Sequence, residues 1–159
     1  MPYAAQSPED LPRREDVRAI SGLEFMQRLL KGDFAGAPIA GTLNFTLLEV
    51  EDGCVVFGGT PDFGALNPSG AVHGGWYGAL LDSAMGCAVM TKVPQGSVYT
   101  TLEYKVNITR AIPQGMAVRC TAWTDHAGRS TAVAHGEIRG AGDGKLYATG
   151  STTCIIMTP

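Results

Sequence analysis

The chain has 159 residues, 45% of them hydrophobic and 17% charged, with a formal net charge of -3. This balance suits one globular domain with a buried core and excludes a disordered chain. No basic field is present to draw nucleic acid or an anionic membrane, and neither is an expected partner. Four cysteines, Cys54, Cys87, Cys120 and Cys154, are spaced by 33, 33 and 34 residues. Their flanks share no wider similarity, and there is no C-x-x-C pair. Each lies in an apolar run, so reduced, metal-free thiols packed as small hydrophobes are expected. The N-terminal residues hold no apolar signal core, and no stretch is long and apolar enough to span a bilayer, which makes the cytoplasm the expected location.

In chain order, residues 1–20 are polar, contain Pro2, Pro8 and Pro12, and read as an irregular arm ahead of a single domain at 21–159. Residues 22–31 put Leu23, Phe25, Met26, Leu29 and Leu30 on one helical stripe, and Gly32 supplies a stop. The segment from Thr42 to Val50 alternates, turns at Glu51-Asp52-Gly53, and resumes as CVVFGGT, the pattern of a β-hairpin. Residues 61–73 are rich in Gly and Pro and form a loop. Residues 74–91 then read as a helix, apolar nearly all round, with Asp82 its only charged residue. Such a helix must be buried on every side. Four glycines (74, 75, 78 and 86) suit close approach to neighbouring backbone. Strand candidates follow at 97–110, 116–125, 129–139 and 145–157, separated by Gly-bearing turns. The order predicts an α+β architecture, an antiparallel sheet of five to six strands curled around the central helix.

The chemistry concentrates between Asn67 and Asp82. A lone carboxylate in an apolar helix needs a specific partner or a neutral form. It is either a buried structural acid or a nucleophile or general base, and its isolation favours the second. Gly74 and Gly75 open the helix, where amide N–H groups lack intrahelical acceptors and lie at the positive end of the dipole. Donors fixed there stabilise an oxygen that gains charge as a carbonyl is attacked; the plainer reading is a tight loop-to-helix entry. His73 suits a supporting role, because no acid lies near it in sequence to build a triad. Asn67 is either a turn residue before Pro68 or an amide donor to a carbonyl. Thr101 opens a strand and is a candidate hydroxyl beside the carboxylate.

The pattern N-x5-H-G-G-x6-D from Asn67 to Asp82, followed by T-x-E-x-K-x-N from Thr101, resembles hotdog-fold thioesterases of the phenylacetate-pathway (PaaI) type over roughly residues 40–157. The resemblance implies hydrolysis of an acyl-CoA thioester without metal or organic cofactor. Asp82 would attack the carbonyl or activate water, and the Gly74 amide would polarise the carbonyl with help from Asn67. Thr101 would orient water or Asp82, and His73 would shape the loop. Relatives place basic residues that meet the nucleotide near the turn before Arg129 and Ser130, which with Gly75 are the candidate CoA contacts. The 4-hydroxybenzoyl-CoA branch carries Glu on the helix and Thr one turn later; here Asp82 and Gly86 stand instead, which favours the PaaI side. Two alternatives stay open, a non-catalytic acyl-CoA-binding module and a hotdog hydratase or dehydratase. Asp82 argues against the first and the H-G-G opening against the second.

Helix geometry adds an expectation about assembly. Gly74 and Asp82 are eight residues apart in sequence, roughly 12 Å along a helix axis. One Asp side chain cannot span that gap to a carbonyl held at Gly74. If both act on one thioester, two chains must contribute to each site, so a homodimer is the minimal unit. Separately from this geometry, a tetramer of two dimers is the expected assembly.

Overall fold

The computed structural model describes residues 1–158. Six strands form one antiparallel sheet: β1 (Phe45–Glu51), β2 (Cys54–Gly59), β3 (Val98–Ile108), β4 (Val118–Ala127), β5 (Thr131–Gly140) and β6 (Leu146–Met157), in the order β1-β2-β4-β5-β6-β3. Strands β1 and β3 are the two edges. The long helix α4 (Gly74–Met90) packs on the inner face against β2 to β6, the hotdog arrangement. Its register with the sheet follows from side-chain size. The inner face of β5 and β6 presents Ala132, Ala134, Gly136, Ala148 and Gly150, all buried. A Cβ at Gly150 would lie 3.2 Å from Met85 Cε, and one at Gly136 would lie 3.3 Å from Leu81 Cδ2. Small residues on the sheet therefore make room for the large ones on the helix. Eleven residues of α4 are buried, as an all-round apolar helix requires.

The remaining helices close the open side. Helix α2 (Gly22–Lys31) starts at Ser21, whose side chain accepts from Glu24 N–H, and ends at Gly32, which sits at φ 86°. Its apolar stripe packs against β1 and α4. The Gly22 N–H donates to Val93 O at 2.9 Å, and a Cβ at Gly22 would meet Met90 O at 1.7 Å. Only glycine permits that approach.

Two segments differ from the sequence reading. The strand expected from Thr42 begins at Phe45, because Pro38–Thr42 forms a short helix, α3, and Asn44 turns the chain at φ 54°. The arm at 1–20 is not wholly irregular. It holds a single 3-10 turn at Pro8–Asp10 and a short helix, α1 (Arg14–Arg18), and Ala4 forms a β-bridge with Gly36.

Edge strand β3 carries a register shift between Thr101 and Glu103 in its pairing with β6. An extra residue reverses side-chain parity beyond it. Thr101 and, further along, Tyr104 and Ile108 can then all face α4. The Tyr104 ring lies beside Gly78 and Ile108 beside Gly74. Even so, Leu102, Tyr104 and Ile108 remain 59%, 47% and 49% exposed, an apolar row on an unpaired edge.

Gly22→Ala is expected to cost about 3 kcal/mol or more, at the upper end of overpacking, since both clashing groups are backbone. Urea unfolding should show the midpoint falling at unchanged slope. A loss below about 1 kcal/mol would show that α2 moves away freely and is not fixed on α4.

Candidate active site

The loop leading into α4 is shaped by its own polar groups. Asn67 Oδ1 accepts from Ser69 N–H and Ala71 N–H at 3.0 and 3.1 Å, and from the Ser69 hydroxyl at 2.9 Å. That oxygen is committed to the turn, so what Asn67 has left to offer a ligand is its amide donor pair. Gly70 sits at φ 80°, a conformation that glycine adopts without a Cβ penalty. His73 is the N-cap of α4, and its Nδ1 accepts the Gly75 N–H at 2.8 Å. The two glycine amides therefore part ways. Gly75 gives its donor to the cap, whereas the exposed Gly74 N–H has no acceptor among the described residues. One unused donor remains at the positive end of the helix.

Asp82 lies two turns further along α4, half-buried, at the wall of a cavity of about 740 Å³. The Thr101 hydroxyl of β3 donates to Asp82 Oδ1 at 3.0 Å. This is the specific partner that an acid in an apolar helix needs, and it leaves Oδ2 free to act. Asp82 and Arg119 are the only charged residues among the described residues lining the cavity, and Arg119 is ion-paired with Glu49. Burial, with a smaller contribution from the Asp82 charge, pushes the Cys87 thiol up to about 12. Burial likewise holds the Tyr99 phenol well above its ordinary value. Both stay neutral at physiological pH.

The site residues read from the sequence thus fall into three places. Asp82 and Thr101 share the cavity. Asn67, His73, Gly74 and Gly75 gather at the start of α4 and do not line it. Arg129 and Ser130 are exposed at the β4–β5 turn, where Ser130 O accepts the Ile156 N–H at 2.9 Å, also away from the cavity. Among the described residues no group of His, Cys, Asp and Glu is placed to hold a metal ion, and no helix is long and apolar enough to cross a membrane. All four cysteines are free.

Comparison with known proteins gives this arrangement a family. Residues 69–147 match the thioesterase superfamily model. A structure from Ralstonia eutropha JMP134, described as a phenylacetic acid degradation-related thioesterase, is 30% identical and superposes with a TM-score of 0.75 over 82% of this chain and 98% of that one. The chain belongs to the thioesterase superfamily. A variant of phenylacetic acid degradation protein PaaI from Thermus thermophilus is 28% identical, with a TM-score of 0.68 over 74% of this chain and 97% of that one. A hypothetical thioesterase from Streptococcus pneumoniae, solved with coenzyme A, shares the fold at 24% identity, with a TM-score of 0.66 over 72% and 87% of the two chains. No curated protein sequence matches significantly. The superfamily makes this chain a thioester hydrolase of the hotdog fold.

Within this thioesterase the sequence reading passed over Tyr99, which lines the cavity two residues before Thr101. A Cβ at Gly86 would lie 2.9 Å from the Tyr99 hydroxyl. The side chain missing from Gly86, one turn after Asp82, is the space that Tyr99 fills. The period of two along β3 from Thr101 was the available signal.

His73→Ala should cost about 1 kcal/mol of stability, the usual value of an N-cap, with His73→Asn recovering most of it. Thermal or urea unfolding measures this. Equal stability of wild type and His73→Ala would mean that the imidazole does not cap α4.

Proposed function

We propose that the chain hydrolyses acyl-CoA thioesters at a site assembled from two copies of itself. Asp82 of one copy serves as general base or nucleophile, and the Gly74 amide of the other polarises the carbonyl. In the general-base form, Asp82 takes a proton from water as the water oxygen bonds to the carbonyl carbon. The carbonyl π electrons move to oxygen, which the Gly74 N–H and the Asn67 amide stabilise. Collapse breaks the C–S bond, and the electron pair and a proton go to sulfur, releasing free acid and CoA. Thr101 holds the Asp82 carboxylate in position. His73 keeps the loop and occupies the competing Gly75 amide. No metal or organic cofactor enters the scheme.

The observation that carries this reading is the separation of one occupied and one unused amide at the start of α4 from the carboxylate two turns on. The exposed β3 edge supports a way for a second copy to close the gap. Gly74 packs at Ile108, and Asp82 bonds Thr101. The midpoint of Thr101 and Ile108 lies between Tyr104 and Lys105. A two-fold axis there, with β3 antiparallel to its mate, sets Thr101 of each chain against Ile108 of the other. It brings each Asp82 towards the other chain's Gly74 and covers the exposed Leu102, Tyr104 and Ile108. Two such dimers forming a tetramer is our reading of the complete assembly. Arg129, Ser130 and Gly75 are proposed to meet the CoA moiety; the Streptococcus pneumoniae structure with coenzyme A supports a ligand of the CoA type and no particular contact.

Asp82→Asn should fold and lose catalysis by about a hundredfold to ten-thousandfold, the range for a positioned acid–base group, as read by thiol release. Asn67→Ala chains co-expressed with Asp82→Asn chains should recover roughly a quarter of wild-type activity, because half of randomly paired dimers are mixed and each mixed dimer has one intact site. Proven mixed dimers with no recovery would place the site within one chain and remove one of the two role assignments.

A further inference from the structure

The cavity does not end at Asp82. A second pocket of about 380 Å³ lies against it, the two sharing Met26, Leu29, Gly36, Ala37, Cys87 and Tyr99 in their walls. At its far end stand Met90 of α4, Val98 of β3 and, from the N-terminal arm, Leu11, Pro12 and Val17. No charged residue lines this extension among the described residues. The arm is pinned on either side of it. Ala5 N–H donates to Gly36 O at 3.0 Å and Gly36 N–H to Tyr3 O at 2.8 Å; beyond the pocket, Gly96 N–H donates to Arg18 O at 2.9 Å and Gln95 Nε2 to Ala19 O at 2.8 Å. Between these anchors Gln6 to Val17 hydrogen-bonds only within the arm, among the described residues. The arm is a strap laid over an apolar opening, with Leu11 and Val17 turned to it.

We propose that this extension is the acyl channel and that the arm forms its far wall, selecting uncharged aliphatic acyl groups of medium length. The inference rests on the function proposed above, since Asp82 fixes the carbonyl end. Two independent rulers give its reach. From Asp82 to Met90 is eight residues of helix, about 12 Å. From Thr101 to Val98 is three residues of strand, about 10 Å. An extended chain advances about 1.2 Å per bond, so the channel takes roughly eight to ten carbons. A carboxylate at the end of the acyl group would be buried without a partner, which excludes dicarboxylic acyl groups. Carbons beyond the strap re-enter water and gain nothing further.

The test is kcat/KM on acyl-CoAs from acetyl to hexadecanoyl, with succinyl-CoA as the charged comparison. The expected profile rises about a hundredfold or more from acetyl to decanoyl, at most about fourfold per buried methylene, and then flattens. Leu11→Asp places a charge in the far wall; Leu11 is already 42% exposed, so the fold tolerates it. The decanoyl-to-butyryl ratio of kcat/KM should fall about tenfold or more. Simple loss of folded enzyme lowers both substrates alike and leaves the ratio unmoved. Preference for four carbons or fewer, preference for succinyl-CoA, or an unchanged ratio in Leu11→Asp overturns the proposal while leaving thioester hydrolysis intact. Hydrolysis of none of these substrates overturns the proposed function instead. The channel is then judged by calorimetry on Asp82→Asn protein, where decanoyl-CoA binding more tightly than butyryl-CoA supports it and equal affinity refutes it.

Discussion

The structure depends on one constraint: α4 is apolar on every side and yet carries a carboxylate. Burying the helix drives the sheet to curl around it, and the small residues of β5 and β6 let it sit close enough to be enclosed. Burying the carboxylate without a partner would oppose that enclosure. The bond from Thr101 resolves the conflict at one oxygen only. It also sets which strand lies beside Asp82, the edge strand β3. The thiol and phenol nearby are kept neutral by the same burial, which leaves the acid without a competitor.

The start of α4 solves the complementary problem. A helix N-terminus offers several unsatisfied donors, and a site that polarises one carbonyl oxygen needs one of them aimed and the rest quiet. His73 takes the Gly75 donor, Asn67 folds the loop through its own oxygen, and the Gly74 donor is left over. None of these groups reaches the cavity of Asp82 in the same chain. On the function proposed here, these are two half-sites at opposite ends of one strand–helix pair, which a two-fold axis on β3 would bring together.

Much of this was legible in the sequence because its signals are local. Alternation marked the strands, the unbroken apolar run marked α4, and Gly32 and the Glu51-Asp52-Gly53 turn marked where elements stop. The spacing from Gly74 to Asp82 needed only the rise of a helix. What stayed hidden was set by distant contacts. Pro38–Thr42 is too short for a helical period to show, and Asn44, not a glycine, makes the turn that starts β1 late. The arm reads as polar coil, because the partners that order it, Gly36 and the turn at Gln95-Gly96, are remote in sequence. Tyr99 resembles any strand aromatic until Gly86 is seen to vacate the space it fills. Asn67 carried two readings, turn former and donor; the structure shows the first, through its oxygen, and the second belongs to the proposed function.

The central claim, that Asp82 and Gly74 act on one thioester from two chains, is tested most directly by a crystal structure with an acyl-CoA analogue in which a methylene replaces the sulfur and the carbonyl is kept. The carbonyl oxygen is expected about 3 Å from the Gly74 N–H of one chain, with the Asp82 carboxylate of the other chain at the carbonyl carbon or one water away. A carbonyl held by Gly74 with no Asp82 of either chain in reach would contradict it. So would contacts from both residues of a single chain.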